Sequence, residues 1–522
     1  MVQYLDNNSG FNMWNTNRKT EQKKSPISGF LRWTLIFMCA WWLIGVFMTP
    51  KTQDVTTDEV KPVLDLSAVP VIEISSAKVD ANMQGLRISN VKLRDFTVSA
   101  DSNEPVALLS ADGNYIESGI LATGTSAPVA TTVWQAGDNN TYTWRNKDGV
   151  VFTRTIDTDG YVIKVSDKIE NRSKNDISVS PYVHIVRDND IKSASGVANG
   201  AIAYVNEDIE EVPWETLNKK SYAYSTTNGF AGFADQYWET IAMIDAPDQT
   251  MRTKKADGKY VTDIASSAMH IPAGDARVIA TNIFAGPRDQ TVLDAVNKTI
   301  PGIAETIDYG WFWFLAQPML WVLNAIHHVV MNYGVAIIIM TILLRLLMWP
   351  LTRKSYVSMA AMQKMQPEMQ RIQKLYANDK MRLQMEMMKL YQTHKTSPMS
   401  GCLPMLIQIP IFFALYKALL VSVAMRNAHF LWISDLSAMD PYFILPILMG
   451  ATMFLQQWMQ SGKQSKNTSG NDAVAQTQKM MRWMPILFTI MFAWMPAGLV
   501  LYWTVSNIFG IVQMQIIKKQ TK

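Results

Sequence analysis

Residues Gly334–Thr352 read GVAIIIMTILLRLLMWPLT, and this stretch decides the fold class. Sixteen residues, Gly334 to Trp349, carry a single charge, Arg345. At about 1.5 Å per residue a helix of that length covers about 24 Å, nearly a bilayer's hydrocarbon core, and the flanks complete the crossing. An arginine at the centre of such a helix costs about 2.5–3.5 kcal/mol on insertion scales. Two explanations for Arg345 are open. Its side chain either snorkels past Trp349 to the cytoplasmic headgroups or stands in a polar cavity inside the membrane. Thr341 shares its helix face at i and i+4, which leans towards the cavity.

Outward from this stretch the composition is segregated. Hydrophobic residues make up 48% of the 522, a soluble protein's share, yet long apolar runs crowd the last third of the chain. Residues 51–330 hold 24 Lys and Arg against 36 Asp and Glu, a net −12, while the remainder holds 24 against 8, a net +16. A basic membrane portion points to anionic lipid or a ribosome, and the acidic block argues against nucleic acid there. The two cysteines, Cys39 and Cys402, both lie outside the acidic block, which therefore needs no disulfide even in an oxidising compartment.

The N-terminus reads as a basic cytoplasmic tail, 1–28, followed by an apolar segment, 29–48. Met48-Thr49-Pro50 is not a small-x-small cleavage site, so 29–48 is expected to be an uncleaved signal anchor. Residues 49–308 comprise a linker and a β-rich domain. Thr141–Arg145, Val150–Ile156 and Tyr161–Ile169 are predicted strands, and the connectors between them end in Asp148-Gly149 and Asp159-Gly160, the chemistry of a tight reversal. Val71–Ile74, Val179–Val186 and Ile241–Ile244 have similar composition, and many short strands with frequent turns predict a β-sandwich. His184 and His270 stand alone, with no metal-ligand cluster, phosphate loop or nucleophile elbow around them, so both are expected to be structural.

Residues 309–331 predict a helix lying in the membrane interface. Gln317, Asn324 and His328 form one polar stripe, and Trp311, Trp313, Phe314 and Trp321 are interfacial anchors. Spans are then expected at 332–352, 401–425, 442–460, 482–495 and 498–517, six in all with the signal anchor. Residues 353–400 carry nine Lys and Arg against three Asp and Glu, so this segment is placed in the cytoplasm. Met362, Met365, Met369, Ile372 and Tyr376, with Leu383, Met387 and Leu390, step by three and four. They predict an antiparallel helical hairpin turning at Asn378-Asp379, with its first helix starting or kinking at Pro367. The Met stripe either packs the hairpin or offers a soft surface for apolar segments. The loop 426–441 is placed outside. The loop 461–481 and the tail 518–522 are placed inside, which leaves both termini cytoplasmic.

The stretches YGWFWFLAQP from Tyr309, MTILLRLLMWPLT from Met340, GCLPMLIQIPIFFALY from Gly401, WISDLSAMDPYFILPILMG from Trp432 and MPAGLVLYWTVSN from Met495 resemble the YidC membrane protein insertases of Gram-negative inner membranes. They cover most of the chain after Asp308, whereas the anchor and the β domain match more in placement than in wording. The resemblance implies a polytopic α-helical membrane protein with six transmembrane helices and a five-helix insertase core, plus a large periplasmic β-super-sandwich. It further implies a hydrated groove open to the cytoplasm and to lipid, lined by Arg345, Thr341, Gln408 and an aromatic position, Trp503. Tryptophan there departs from the tyrosine often expected and lacks a phenolic hydroxyl.

The function expected is insertion and folding of nascent membrane proteins, alone or with a Sec-type translocon, on a lipid bilayer, without enzymatic chemistry, metal or cofactor. Lys364, Arg371 and Lys374 are expected to contact clients or the ribosome. The alternative is a small-molecule or ion transporter using Arg345 and Lys417, against which no inverted repeat is visible. A sugar-active enzyme in the β domain lacks a paired catalytic constellation. Lys417 is expected off the groove, nine residues beyond Gln408 and therefore on the opposite side of a straight helix. The β domain is expected to be dispensable because its link to the anchor is flexible.

Overall fold

The computed structural model describes residues 65–109, 113–188, 200–377, 379–394, 403–461 and 483–520. The expected tail 1–28, the anchor 29–48, almost all of loop 461–481 and both cysteines lie outside them.

The β domain is two antiparallel sheets, one of ten strands and one of nine among the described residues. The Asp-Gly turns form as expected, with Gly149 and Gly160 at φ of +93° and +61°, a region that costs glycine nothing. They join Thr141–Arg145 to Val150–Asp159, and that strand to Val162–Asn171. In the other sheet Ile177–Arg187 is central, flanked by Tyr115–Thr123 and Lys259–Ser266. Its burial alternates from Ile177 to Ile185, and Val179, Val183 and Ile185 are sealed between the sheets. Each such side chain contributes about 1.5–3 kcal/mol. The buried Arg154 donates to both oxygens of Asp167 at 2.8 Å and to the Ser118 carbonyl at 2.8 Å. Desolvation offsets much of the ion pair's attraction, and the Ser118 bond ties the nine-stranded sheet to the ten-stranded one.

The domain closes with helix α1 (Gln290–Val296), capped by Asp289, which accepts from the Thr291 amide at 3.0 Å. Helix α2 (Trp313–Val330) is amphipathic: Ala316, Met319 and Leu323 are buried, and Trp313, Phe314 and Trp321 are exposed. Helix α3 (Tyr333–Leu347) starts at Asn332, whose side chain accepts from the Val335 amide at 3.0 Å. Gly334 lets the Phe430 ring pack directly on its backbone, where a Cβ would overlap it.

Helix α4 (Trp349–Leu375) leaves α3 at a bend of 61°. Pro350 sits in its first turn, where a missing amide hydrogen costs nothing. The helix start expected as one reading of Pro367 lies elsewhere. The first hairpin helix starts at Trp349 and runs on through Pro367 to Leu375. Helix α5 (Lys380–Thr393) returns, its start capped by Asp379, which accepts from the Arg382 amide at 3.0 Å. Met365 and Leu390 of the expected stripe are buried in the hairpin, whereas Met381, Met385 and Met388 of α5 are exposed.

Four helices complete the bundle: α6 (Leu403–Val421), α7 (Ile444–Ser461), α8 (Trp483–Phe492) and α9 (Ala497–Gln520). Among the described residues α9 is the one unbroken helix long and apolar enough to cross a membrane. Helix α3 reaches that length only together with the first turns of α4 across the bend, and α6 to α8 are apolar but shorter.

Candidate functional site

Helix α9 packs against α3 and α7 and carries a buried polar edge in an otherwise apolar surface. Arg345, in the last turn of α3, reaches this edge. Its Nε donates to Ser506 Oγ at 2.8 Å, and an Nη nitrogen donates to the same oxygen. Among the described residues no carboxylate pairs with Arg345, so its partner is a neutral hydroxyl. Gln513, two turns beyond Ser506, donates its amide to the Arg345 carbonyl at 3.3 Å. One turn before Ser506, the Tyr502 hydroxyl accepts a hydrogen bond from Gln408 of α6. Arg345 and Gln408 thus meet the same helix at adjacent turns.

Thr341 and Trp503, also expected in the site, make other contacts. Thr341 is fully buried, and its hydroxyl donates to the Ile337 carbonyl at 2.6 Å within its own helix. Trp503 packs one turn along α6 from Gln408, against Phe412. Its ring centroid lies 5.1 Å from Phe412, 5.2 Å from Phe492 and 6.0 Å from Phe488, in an aromatic cluster between α6, α8 and α9. One residue turns a helical side chain by about 100°, so Tyr502 and Trp503 meet different partners, Tyr502 the Gln408 amide and Trp503 the aromatic cluster. The phenolic hydroxyl that Gln408 meets is that of Tyr502. Ser506 and Gln513 were not singled out in the sequence, although their spacing of four and then seven residues from Tyr502 was readable as one face.

Lys417 lies off this cluster. Its Nζ is 2.6 Å from Asp308 Oδ2, at the foot of the β domain, and its stem packs on Gly310, whose φ is +71°. Burial alone would raise the Asp308 carboxyl. The hydrogen bond and charge of Lys417, the Gly310 amide and Arg288 outweigh it and hold the group below the usual carboxylate range. Nearby, Glu239 is entirely buried, 3.5 Å from Arg288 Nε, a distance that allows charge attraction but no hydrogen bond. Burial pushes its carboxyl up to about 7 against the pull of Arg288. Lys364, Arg371 and Lys374 are exposed along α4. Among the described residues no three metal-ligating side chains converge.

Fold and site together define a bundle of apolar helices that holds polar groups between them and bears a two-sheet domain at one end. Two family descriptions match nearly all the chain after residue 70: the YidC periplasmic domain over 71–322 and the 60Kd inner membrane protein over 325–522. The membrane protein insertase YidC of Magnetococcus marinus is 36% identical over 491 residues, covering 88% of this chain and 85% of its own length. That of Sinorhizobium medicae is 35% identical over 503 residues, covering 87% and 82%. A crystal structure of an active YidC insertase with its first transmembrane domain resolved aligns over 93% of this chain and 99% of its own, at 18% identity and a TM-score of 0.38. The chain belongs to the YidC family of membrane protein insertases, and its two-sheet domain is the family's periplasmic domain.

Proposed function

We propose that this inner-membrane protein inserts nascent membrane proteins into the bilayer through a polar groove between α3, α6 and α9. A translocated segment must carry its backbone polar groups across a medium that cannot hydrogen-bond them. A half-crossing groove with Arg345 and Gln408 supplies water and donors and attracts acidic residues on the moving segment. The transmembrane potential then favours an acidic segment moving outward by about 2.3 kcal/mol per charge per 100 mV. One observation carries this reading: the Arg345 guanidinium is held inside an apolar bundle by a neutral serine, with no counter-ion among the described residues. A cation so placed needs water, lipid or a client's carboxylate. Thr341, one turn before Arg345 on the same face of α3, is sealed within the bundle.

The same reading places six spans at 29–48, 332–352, 401–425, 442–460, 482–495 and 498–517, with both termini cytoplasmic and residues 49–331 periplasmic. The chain acts alone or beside a Sec-type translocon. The hairpin 353–400, through Lys364, Arg371 and Lys374, meets the ribosome or the emerging client.

The test is site-specific labelling in a background with Cys39 and Cys402 changed to Ser. Single cysteines at 345 and 408 should react with a polar, membrane-impermeant thiol reagent from the cytoplasmic side well above cysteines at 338, 339 and 341. Labelling confined to 345 would leave only snorkelling and remove the groove. Insertion follows the charge: Arg345→Lys should retain more activity than Arg345→Glu on clients with acidic translocated segments.

A further inference from the structure

Ser506 and Gln513 lie seven residues apart on α9, two turns on one face, and both are buried. Each takes hold of a different part of the same residue. Ser506 accepts two N–H groups of the Arg345 guanidinium, and Gln513 donates to the Arg345 carbonyl. We infer that Ser506 and Gln513 are positioning residues for Arg345: a two-point hold on side chain and backbone that keeps the guanidinium aimed across the bundle at the Tyr502–Gln408 contact. Its consequence for insertion rests on Arg345 being the charge of the groove.

The chemistry favours a serine over an acid at this point. A hydroxyl oxygen has two lone pairs, and here both are engaged by Arg345. The guanidinium is thereby oriented without being neutralised, and its remaining donors stay available for a client's carboxylate. A carboxylate at 506 would orient the arginine equally well but cancel its charge. The Gln513 contact addresses a second freedom. Arg345 sits three residues before the bend at Met348, in the last turn of α3, where carbonyls lose their intrahelical partners. A donor from α9 satisfies the Arg345 carbonyl and fixes the backbone from which the side chain departs. The Gln513 Oε1 is buried without a partner, so the amide is oriented by this one donation.

The experiment uses the full chain in native membranes and two model clients that differ only in Asp against Asn within the translocated segment. The readout is the ratio of their insertion rates. Arg345→Ala should bring the ratio to one. Ser506→Ala should reduce the wild-type preference for the Asp client about tenfold, the factor expected when a hydrogen bond to a charged group is lost. Ser506→Thr, which restores the hydroxyl, should recover it. Gln513→Leu should lower the ratio in the same direction. Adding Ser506→Ala to Arg345→Ala should change nothing further. A merely structural role would reduce both clients equally and leave the ratio in place. If Ser506→Ala does not accumulate, Ser506→Cys, a weaker acceptor of similar size, gives the same comparison. A wild-type ratio in Ser506→Ala together with a ratio of one in Arg345→Ala overturns the positioning role while sparing the groove. A wild-type ratio in Arg345→Ala overturns the groove's charge and the hold with it.

Discussion

Replacing Glu239 by glutamine should remove a pH-dependent weakness at the foot of the periplasmic domain. The carboxyl is sealed from water, 3.5 Å from Arg288 Nε, and is pushed from an ordinary 4.5 up to about 7. The folded protein therefore holds this proton more tightly than the unfolded chain does. The associated stability is complete below about pH 4.5 and is lost as pH rises through about 7. At about 1.4 kcal/mol for each pH unit between those values, the loss is about 3–4 kcal/mol by about pH 8. Glutamine has the shape of the protonated acid and cannot ionise. Hydrogen exchange of strands Phe230–Ala234 and Trp238–Ile244, paired through Ala234 and Glu239, reads the local stability in the full chain. The stability of Glu239→Gln relative to wild type should grow by about 2–3 kcal/mol between about pH 5 and about pH 8. A difference that stays constant across that range refutes the buried-acid reasoning, whatever its size.

Other perturbations have equally direct outcomes. Gly334→Ala should destabilise the bundle by about 1–3 kcal/mol, because the new methyl overlaps the Phe430 ring, and a thermal melt in detergent checks it. Replacing Lys364, Arg371 and Lys374 together by Glu should weaken ribosome co-sedimentation, most at low salt where screening is least; binding unchanged across salt concentrations counts against the basic face. Deleting about residues 70–290 should leave insertion intact, since among the described residues the hydrogen bonds of the Arg345 and Gln408 side chains are made between α3, α6 and α9. Loss of insertion with an abundant, folded bundle would overturn that expectation.

What was legible in the sequence was whatever a local rule encodes. Asp148-Gly149 and Asp159-Gly160 dictate reversals on their own, and the hairpins they predict form between the strands named. Arg345 announced itself because one charge in sixteen apolar residues needs a cause. What was hidden depended on rotation and on partners. Tyr502 and Trp503 are both large aromatics in an apolar helix, and only the packing of α9 turns the first to Gln408 and the second into the Phe412–Phe488–Phe492 cluster. A serine in an apolar helix usually satisfies itself on its own backbone, as Thr341 does, so nothing local marks Ser506 as a partner of Arg345. Pro367 misled because a proline inside a helical stripe normally breaks it, while Pro350, in the first turn of the same helix, was the true boundary signal.

The foot of the sandwich is tied down at several points. Lys417 of α6 binds Asp308, Gln236 donates to the Leu420 carbonyl at 2.9 Å, and Arg426 donates to the Thr97 carbonyl at 2.7 Å and to the Val98 carbonyl. Three of these four bonds reach backbone carbonyls rather than the tips of mobile side chains. Such a joint behaves as a bracket rather than a string. The sandwich becomes a lever arm on the C-terminal end of α6, the helix that also carries Gln408. A small tilt of that helix sweeps the far sheet edge through a much larger arc. Fluorophores on the far edge, well away from the bilayer, would then display as a visible swing a movement of α6 too slight to follow from within the membrane.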